Sequence, residues 1–175
     1  TANIKNEIGK CTYTQMLNLD GGIETDLTVV CISEKHFRII GGAATRERDK
    51  FHIKKHINPN IELTDVTDEY VCLGVFGPKS RKLMNEISND DFSNENFRFG
   101  CSKNVSIENK GVWVQRLSYV GEVGYELYIK FTEAKLIFDK IIDIGKKYNL
   151  SLCGAHAMDI LRMESGFLHW GHDIS

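Results

Sequence analysis

The sequence predicts an α+β fold in which antiparallel or mixed sheets are covered by helices. Three observations carry that prediction. Residues 23–31 alternate with period two, the pattern of a half-buried strand. Two stretches, near 10–31 and 111–131, read as strand–turn–strand hairpins. Helical spacing of apolar residues appears between groups of strands rather than after every strand, which argues against a doubly wound parallel sheet.

The elements follow in order. Cys11 to Leu17 is rich in Thr and Tyr and predicts a short strand. Asp20-Gly21-Gly22 turns it back, because side chains would obstruct so tight a turn. In the return strand Ile23, Leu27, Val29 and Cys31 share one face with Thr25, while Glu24, Asp26, Thr28 and Val30 share the other. Two carboxylates therefore lie on a strand face whose far end is apolar. An acid there loses hydration and needs a partner, a proton or a ligand. Phe37 to Ile40 predicts a third strand, and Thr45 caps a mostly charged helix to about His56, with Phe51 on its thin apolar stripe.

Asn58-Pro59-Asn60 is the plainest linker and divides the chain at 1–60 and 61–175. Residues 61–67 alternate as a strand, and Tyr70 to Phe76 reads as a strand of the buried kind. Gly77-Pro78 predicts a helix start with Pro at its first position, and Leu83, Met84 and Ile87 form that helix's buried side. Residues 88–96 are polar and expected on the surface. Val112 to Tyr119 and Gly124 to Ile129 form the second hairpin, with Glu122 in its solvated turn. Thr132 caps an amphipathic helix that uses Ala134, Ile137, Phe138, Ile141 and Ile142 and stops near Gly145. A last helix begins near Ala155, buries Met158, Leu161 and Ile160, and ends at Gly166.

Bulk properties narrow the function. The chain has 175 residues, 42% hydrophobic and 26% charged, with a net charge of −2. That balance gives no electrostatic case for nucleic acid or an anionic membrane. No run approaches the roughly 18 apolar residues of a membrane span. The opening Thr1-Ala2-Asn3, without a Met or a signal-peptide pattern, reads as a piece of a longer chain. Cys11, Cys31, Cys72, Cys101 and Cys153 are scattered, which suits buried thiols in a reducing compartment and no zinc site. His169-Trp170-Gly171-His172 is the only local histidine pair and has no third ligand nearby, so no metal site is expected. No Gly-x-Gly-x-x-Gly fingerprint is present, so no FAD site of that type is expected.

Six segments recur together: Tyr13-Thr14-Gln15-Met16-Leu17-Asn18, 21–29, Leu73-Gly74-Val75-Phe76-Gly77-Pro78, Asp91-Phe92-Ser93-Asn94-Glu95, 118–128, and Leu161-Arg162-Met163-Glu164-Ser165-Gly166 with His169 to Asp173. In that order, across nearly all of the chain, they resemble the folate-binding domain of the glycine cleavage T-protein (aminomethyltransferase) family. The match is closest to the C-terminal tetrahydrofolate domains of dimethylglycine and sarcosine dehydrogenases. The resemblance implies two ferredoxin-like halves around a folate pocket, incomplete at both ends. A lead-in would precede Thr1, a β-rich part would follow Ser175, and in the dehydrogenases a flavin oxidase domain comes earlier in the same chain.

The resemblance implies a catalytic role for Asp26. Folate contacts would come from Asp26, Thr28, Tyr119 and Glu126, with Glu126 accepting the paired N–H groups of the pterin edge and Tyr119 packing on the ring. Glu24 would be a rim residue, and Arg162 and Glu164 would tie the last helix to neighbouring loops. Met158 stands where the plain T-protein has an arginine toward the folate tail, a departure that favours the dehydrogenase branch. The implied function is tetrahydrofolate-dependent one-carbon transfer forming 5,10-methylenetetrahydrofolate, coupled to demethylation of a methylated glycine. The carbon would arrive as a methylated amine, an iminium or formaldehyde. The alternatives are a non-catalytic folate-binding module and a folate-dependent demethylase of another substrate. Either the bacterial cytoplasm or the mitochondrial matrix would suit it.

Overall fold

The computed structural model describes residues 1–5 and 7–174. Among the described residues the architecture is α+β, with two antiparallel sheets and four α-helices. The chain divides into two compact units, Thr1–Val66 together with His169–Ser175, and Thr67–Leu168.

The first unit holds a three-stranded meander in the order β1-β2-β3, built from β1 (Cys11–Leu17), β2 (Ile23–Ser33) and β3 (His36–Gly41). Thr25, Leu27, Val29 and Cys31 are buried, as alternation requires, while Asp26 and Thr28 are half-buried. Glu24 departs from the expected pattern. Met16 pairs with Thr25 but Leu17 pairs with Ile23, so Glu24 is the extra residue of a bulge. The slip sets Ile23 opposite Leu17 instead of continuing the Leu27 row.

Helix α1 (Arg46–His56) follows β3. Thr45 precedes it but makes no cap bond to its backbone. Its hydroxyl instead donates to Asp49 Oδ2 at 2.6 Å, and Thr25 Oγ1 donates to the same oxygen at 3.2 Å. Asp49 is the residue α1 buries, while the expected Phe51 is 71% exposed. A buried carboxylate fed by two hydroxyls thus replaces an apolar stripe as the tie between α1 and β2. Residues 61–66 form no strand. Asp65 is drawn instead to Arg46 Nε at 3.1 Å and Lys50 Nζ at 3.0 Å, so this stretch follows α1.

The second unit is a four-stranded sheet in the order β4-β7-β6-β5, from β4 (Tyr70–Phe76), β5 (Ser102–Ile107), β6 (Lys110–Gln115) and β7 (Gly124–Lys130). β5 was not expected. It joins β6 through Glu108 and Asn109, both with positive φ (50° and 59°), a hairpin turn without the usual glycine. β4 is an edge strand with only Val75 buried, rather than the fully buried strand its apolar run suggested. The β6–β7 pairing covers only Trp113 to Gln115 against Glu126 to Tyr128, so residues 116–123 form a connection and Tyr119 is not on a strand.

Helices α2 (Ser80–Ile87) and α3 (Ala134–Gly145) supply Leu83, Met84, Ile87, Ile137 and Ile141 to one core with Val112, Val114, Tyr125, Leu127 and Ile129. Phe138 stays exposed and Ile142 half-buried. α2 begins at Ser80 rather than Pro78, because Ser80 N–H first closes a turn onto Gly77 O at 3.0 Å. Residues 88–96 are not uniformly exposed. Phe92 is buried, its ring 5.2 Å from Tyr125 in an edge-to-face contact, and Ser88 is buried too. Helix α4 (Ala155–Glu164) starts where expected but buries only Arg162. Met158, Ile160 and Leu161 are each at least 40% exposed. Arg162 donates to Asp159 Oδ1 at 2.8 Å and Phe167 O at 3.0 Å.

Two substitutions separate core from surface. Leu127→Ala should lower unfolding free energy by roughly 2–5 kcal/mol. Phe51→Ala should change it by no more than about 0.5 kcal/mol. Urea denaturation followed by tryptophan fluorescence checks both, and equal midpoints would contradict the core assignment.

Candidate functional site

Each unit carries part of the expected site. In the first unit, Asp26 lies on central strand β2, opposite Gln15 of β1 and one residue beyond the last pairing with β3, at Leu27–Gly41. Its Oδ2 accepts a hydrogen bond from Tyr13 Oη at 2.7 Å. Tyr13 pairs directly with Thr28, so the phenol reaches Asp26 diagonally across the strand pair. Asp26, Thr28, Tyr13 and Gln15 therefore share one face. Buried Thr25 and Asp49, with half-buried Thr45, fix β2 from the other. The sequence reading missed Tyr13. Its signal was the hairpin register, which sets Tyr13 two pairs from Gln15 on the Asp26 face.

In the second unit, β7 turns Tyr125, Leu127 and Ile129 into the core, so Gly124, Glu126 and Tyr128 face away from α2 and α3. Glu126 is half-buried, opposite Gly74 of β4 on one side and Gln115 of β6 on the other. Tyr128 Oη donates to Glu126 Oε2 at 2.9 Å. Loss of hydration raises the Glu126 carboxyl above its ordinary range, and the Tyr128 bond offsets only part of that rise. Burial and then the Glu126 charge push the Tyr128 phenol up strongly. Cys72, opposite Tyr128, keeps an exposed surface, yet its thiol is pushed up to about 11 by lost hydration first and the Glu126 charge second.

A flat apolar wall flanks Glu126. The Phe76 ring lies over Gly74 and Gly124, where an added Cβ would come 2.4 Å and 2.2 Å from ring carbons. Only glycine at both positions lets the ring lie against the strands.

Tyr119, in the 116–123 connection, stacks on Phe167 at 6.2 Å between ring centres and 11° between planes. Arg116 anchors the start of the connection to Phe97 O at 2.5 Å and Asn94 Oδ1 at 2.7 Å. Val123 O anchors its end, accepting from Gly77 N–H at 2.9 Å and Ser80 Oγ at 3.0 Å. Glu122 and Glu164 are exposed.

Among the described residues there is no cluster of three metal-ligating side chains, and no helix is long and apolar enough to cross a membrane. Cys11 and Cys31 are buried thiols, whereas Cys72 and Cys153 are exposed, so burial accounts for only part of the cysteine set.

The family model described as the GCVT N-terminal domain matches residues 1–175. The chain belongs to that family. It is 37% identical, over 99% of its length, to 4-methylaminobutanoate oxidase (formaldehyde-forming) of Paenarthrobacter nicotinovorans, and 30% identical to mitochondrial dimethylglycine dehydrogenase of Homo sapiens over 99%. It spans 21% and 20% of those two proteins. It is 34% identical to aminomethyltransferase of Thermoanaerobacter sp. (strain X514), covering 93% of this chain and 44% of that one. The crystal structure of glycine cleavage system aminomethyltransferase T from Bartonella henselae superposes with a TM-score of 0.78 at 24% identity, over 96% of this chain and 44% of that one, and so shares its fold.

For this GCVT domain the Glu126 environment sets a pH dependence. A carboxyl whose folded pKa is raised stabilises the fold fully below its unfolded pKa, and that contribution is lost as pH rises through the folded value. Glu126→Gln removes the titration. Thermal midpoints of wild type and variant should therefore diverge in the variant's favour between pH 4 and 8, and parallel curves would contradict the desolvated carboxylate.

Proposed function

We propose that this chain is a tetrahydrofolate-dependent one-carbon transfer domain that forms 5,10-methylenetetrahydrofolate from carbon at the aldehyde level. That carbon would come from demethylation of a methylated glycine. The single observation that carries the reading is Glu126, a half-buried carboxylate on the face of β7 turned away from α2 and α3, with Oε2 bonded by Tyr128 and a flat ring beside it. Family membership and the names of the relatives, a formaldehyde-forming oxidase, a dimethylglycine dehydrogenase and aminomethyltransferases, support it.

The residues fit a pterin. Glu126 Oε1 can accept an N–H from a flat heterocycle, and burial strengthens such a charge-assisted contact. Tyr119 already stacks face to face with an aromatic partner and can pack on another ring. When bound, tetrahydrofolate supplies the amines that take up the one-carbon unit. Asp26 holds or moves a proton at its carboxylate and steadies positive charge beside it, with Tyr13 fixing the orientation of Oδ2. Thr28, on the same face, would add a further folate contact. The relatives that are oxidases and dehydrogenases are about five times longer than this chain, which leaves room for a flavin oxidase domain in the same polypeptide.

Asp26→Asn tests the chemistry in the complete protein. Folate affinity should stay within about tenfold, since a neutral hydrogen-bonding group replaces a charged one. Methylenetetrahydrofolate formation should fall by about a hundredfold or more, as for loss of an acid–base group. An unchanged rate would remove Asp26 from the reaction, and wild-type binding without any product would leave a folate-binding module. Glu126→Gln should cost roughly 2–4 kcal/mol of folate affinity by calorimetric titration. Glu122→Gln, exposed in the connection, should cost almost nothing, and the reverse ranking would place the pterin elsewhere.

A further inference from the structure

Gln115 is the last residue of β6 and has 0% of its surface exposed. Neither its Oε1 nor its Nε2 has a hydrogen-bond partner. Buried amides are nearly always paired, and leaving one polar group unpaired costs about 1–3 kcal/mol. Trp113, two residues back on the same face of β6, is also buried. A methionine or leucine at 115 would fill similar space without that cost, so the unliganded fold gains nothing visible from the amide.

Its position supplies a reason. Gln115 pairs directly with Glu126, and directly opposed residues of antiparallel strands show their side chains to the same face, with Cβ atoms about 4.5–5.5 Å apart. The row across the sheet runs Ser102, Gln115, Glu126, Gly74. In it Glu126 offers acceptors only, with Oε2 already bonded by Tyr128. Gln115 adds one acceptor and two donors beside it. A ring edge carrying adjacent N–H and C=O groups can bond to both residues, one group to each.

We infer that Gln115 is a ligand-recognition residue that, together with Glu126, reads the edge of a flat amino-lactam heterocycle. The inference rests on the folate reading above and adds to it the residue that distinguishes a carbonyl-bearing ring edge from one with N–H groups alone. Glu126 keeps some surface and Gln115 none, so the ligand arrives at Glu126 and meets the amide second. The unpaired groups of the amide become satisfied only when the ring binds.

The test compares Gln115→Met with wild type in the complete protein, by calorimetric titration with tetrahydrofolate and by thermal unfolding without ligand. The inference expects affinity to fall about five- to thirtyfold, the range for losing a buried hydrogen bond. It expects the unliganded thermal midpoint to stay the same or rise, since an unpaired amide has been removed. Unchanged affinity overturns it. So does an affinity loss accompanied by a lower midpoint, which marks a structural role. If Gln115→Met fails to fold, Gln115→Leu carries the same comparison. Wild type that does not bind tetrahydrofolate sinks the parent reading, whereas wild type that binds and Gln115→Met that binds equally sinks this inference alone.

Discussion

A strand that commits every second residue to a core must show the others on its far side, and β7 lives under that constraint. Tyr125, Leu127 and Ile129 are fully buried and hold α2 and α3 to the sheet. Gly124, Glu126 and Tyr128 have no freedom to join them. A one-residue slip would carry Glu126 into a core that offers it no hydrogen-bonding partner and would expose three large side chains. The same packing that stabilises the second unit therefore fixes a carboxylate, a phenol and a glycine on the face turned away from α2 and α3. The pairing with β6 then adds an amide beside the carboxylate, and the pairing with β4 adds a glycine and the ring of Phe76.

The first unit solves the equivalent problem with polar groups. Asp26 is presented by β2, and β2 is held from behind by Asp49, whose Oδ2 receives two hydroxyls. This explains why α1 survives with so little apolar surface. Its attachment is a hydrogen-bonded carboxylate within reach of the site's strand, and a change at Asp49 would be felt one residue away from Asp26, through Thr25.

How legible this was in the sequence depended on how local the cause was. The β2 alternation, the Leu83–Met84–Ile87 face of α2 and the Ile137–Ile141 face of α3 were all readable, because each follows from spacing within one element. The family resemblance was readable from ordered motifs, and the matching model covers the whole chain. What spacing could not show was register and partnership. Tyr119 looked like a strand residue because the run from Val112 is apolar, but the β6–β7 ladder lasts only three pairs. The bulge at Glu24, the unglycined turn at Glu108-Asn109 and the burial of Arg162 each depend on a partner distant in sequence or on backbone geometry. Tyr13 and Gln115 were missed for the same reason. Gln115 lies outside the recurring segments and Tyr13 inside one, yet each gains meaning only from a residue on the neighbouring strand.

Cys72 shows what such a neighbourhood does to chemistry it does not use. Thiolates, not thiols, attack electrophilic carbon, metals and oxidants. On the sheet face beside Tyr128 and near Glu126, the Cys72 proton is held more tightly than in water, so less of the group is thiolate at neutral pH. Lost hydration first, and the Glu126 charge second, keep that sulfur chemically quiet.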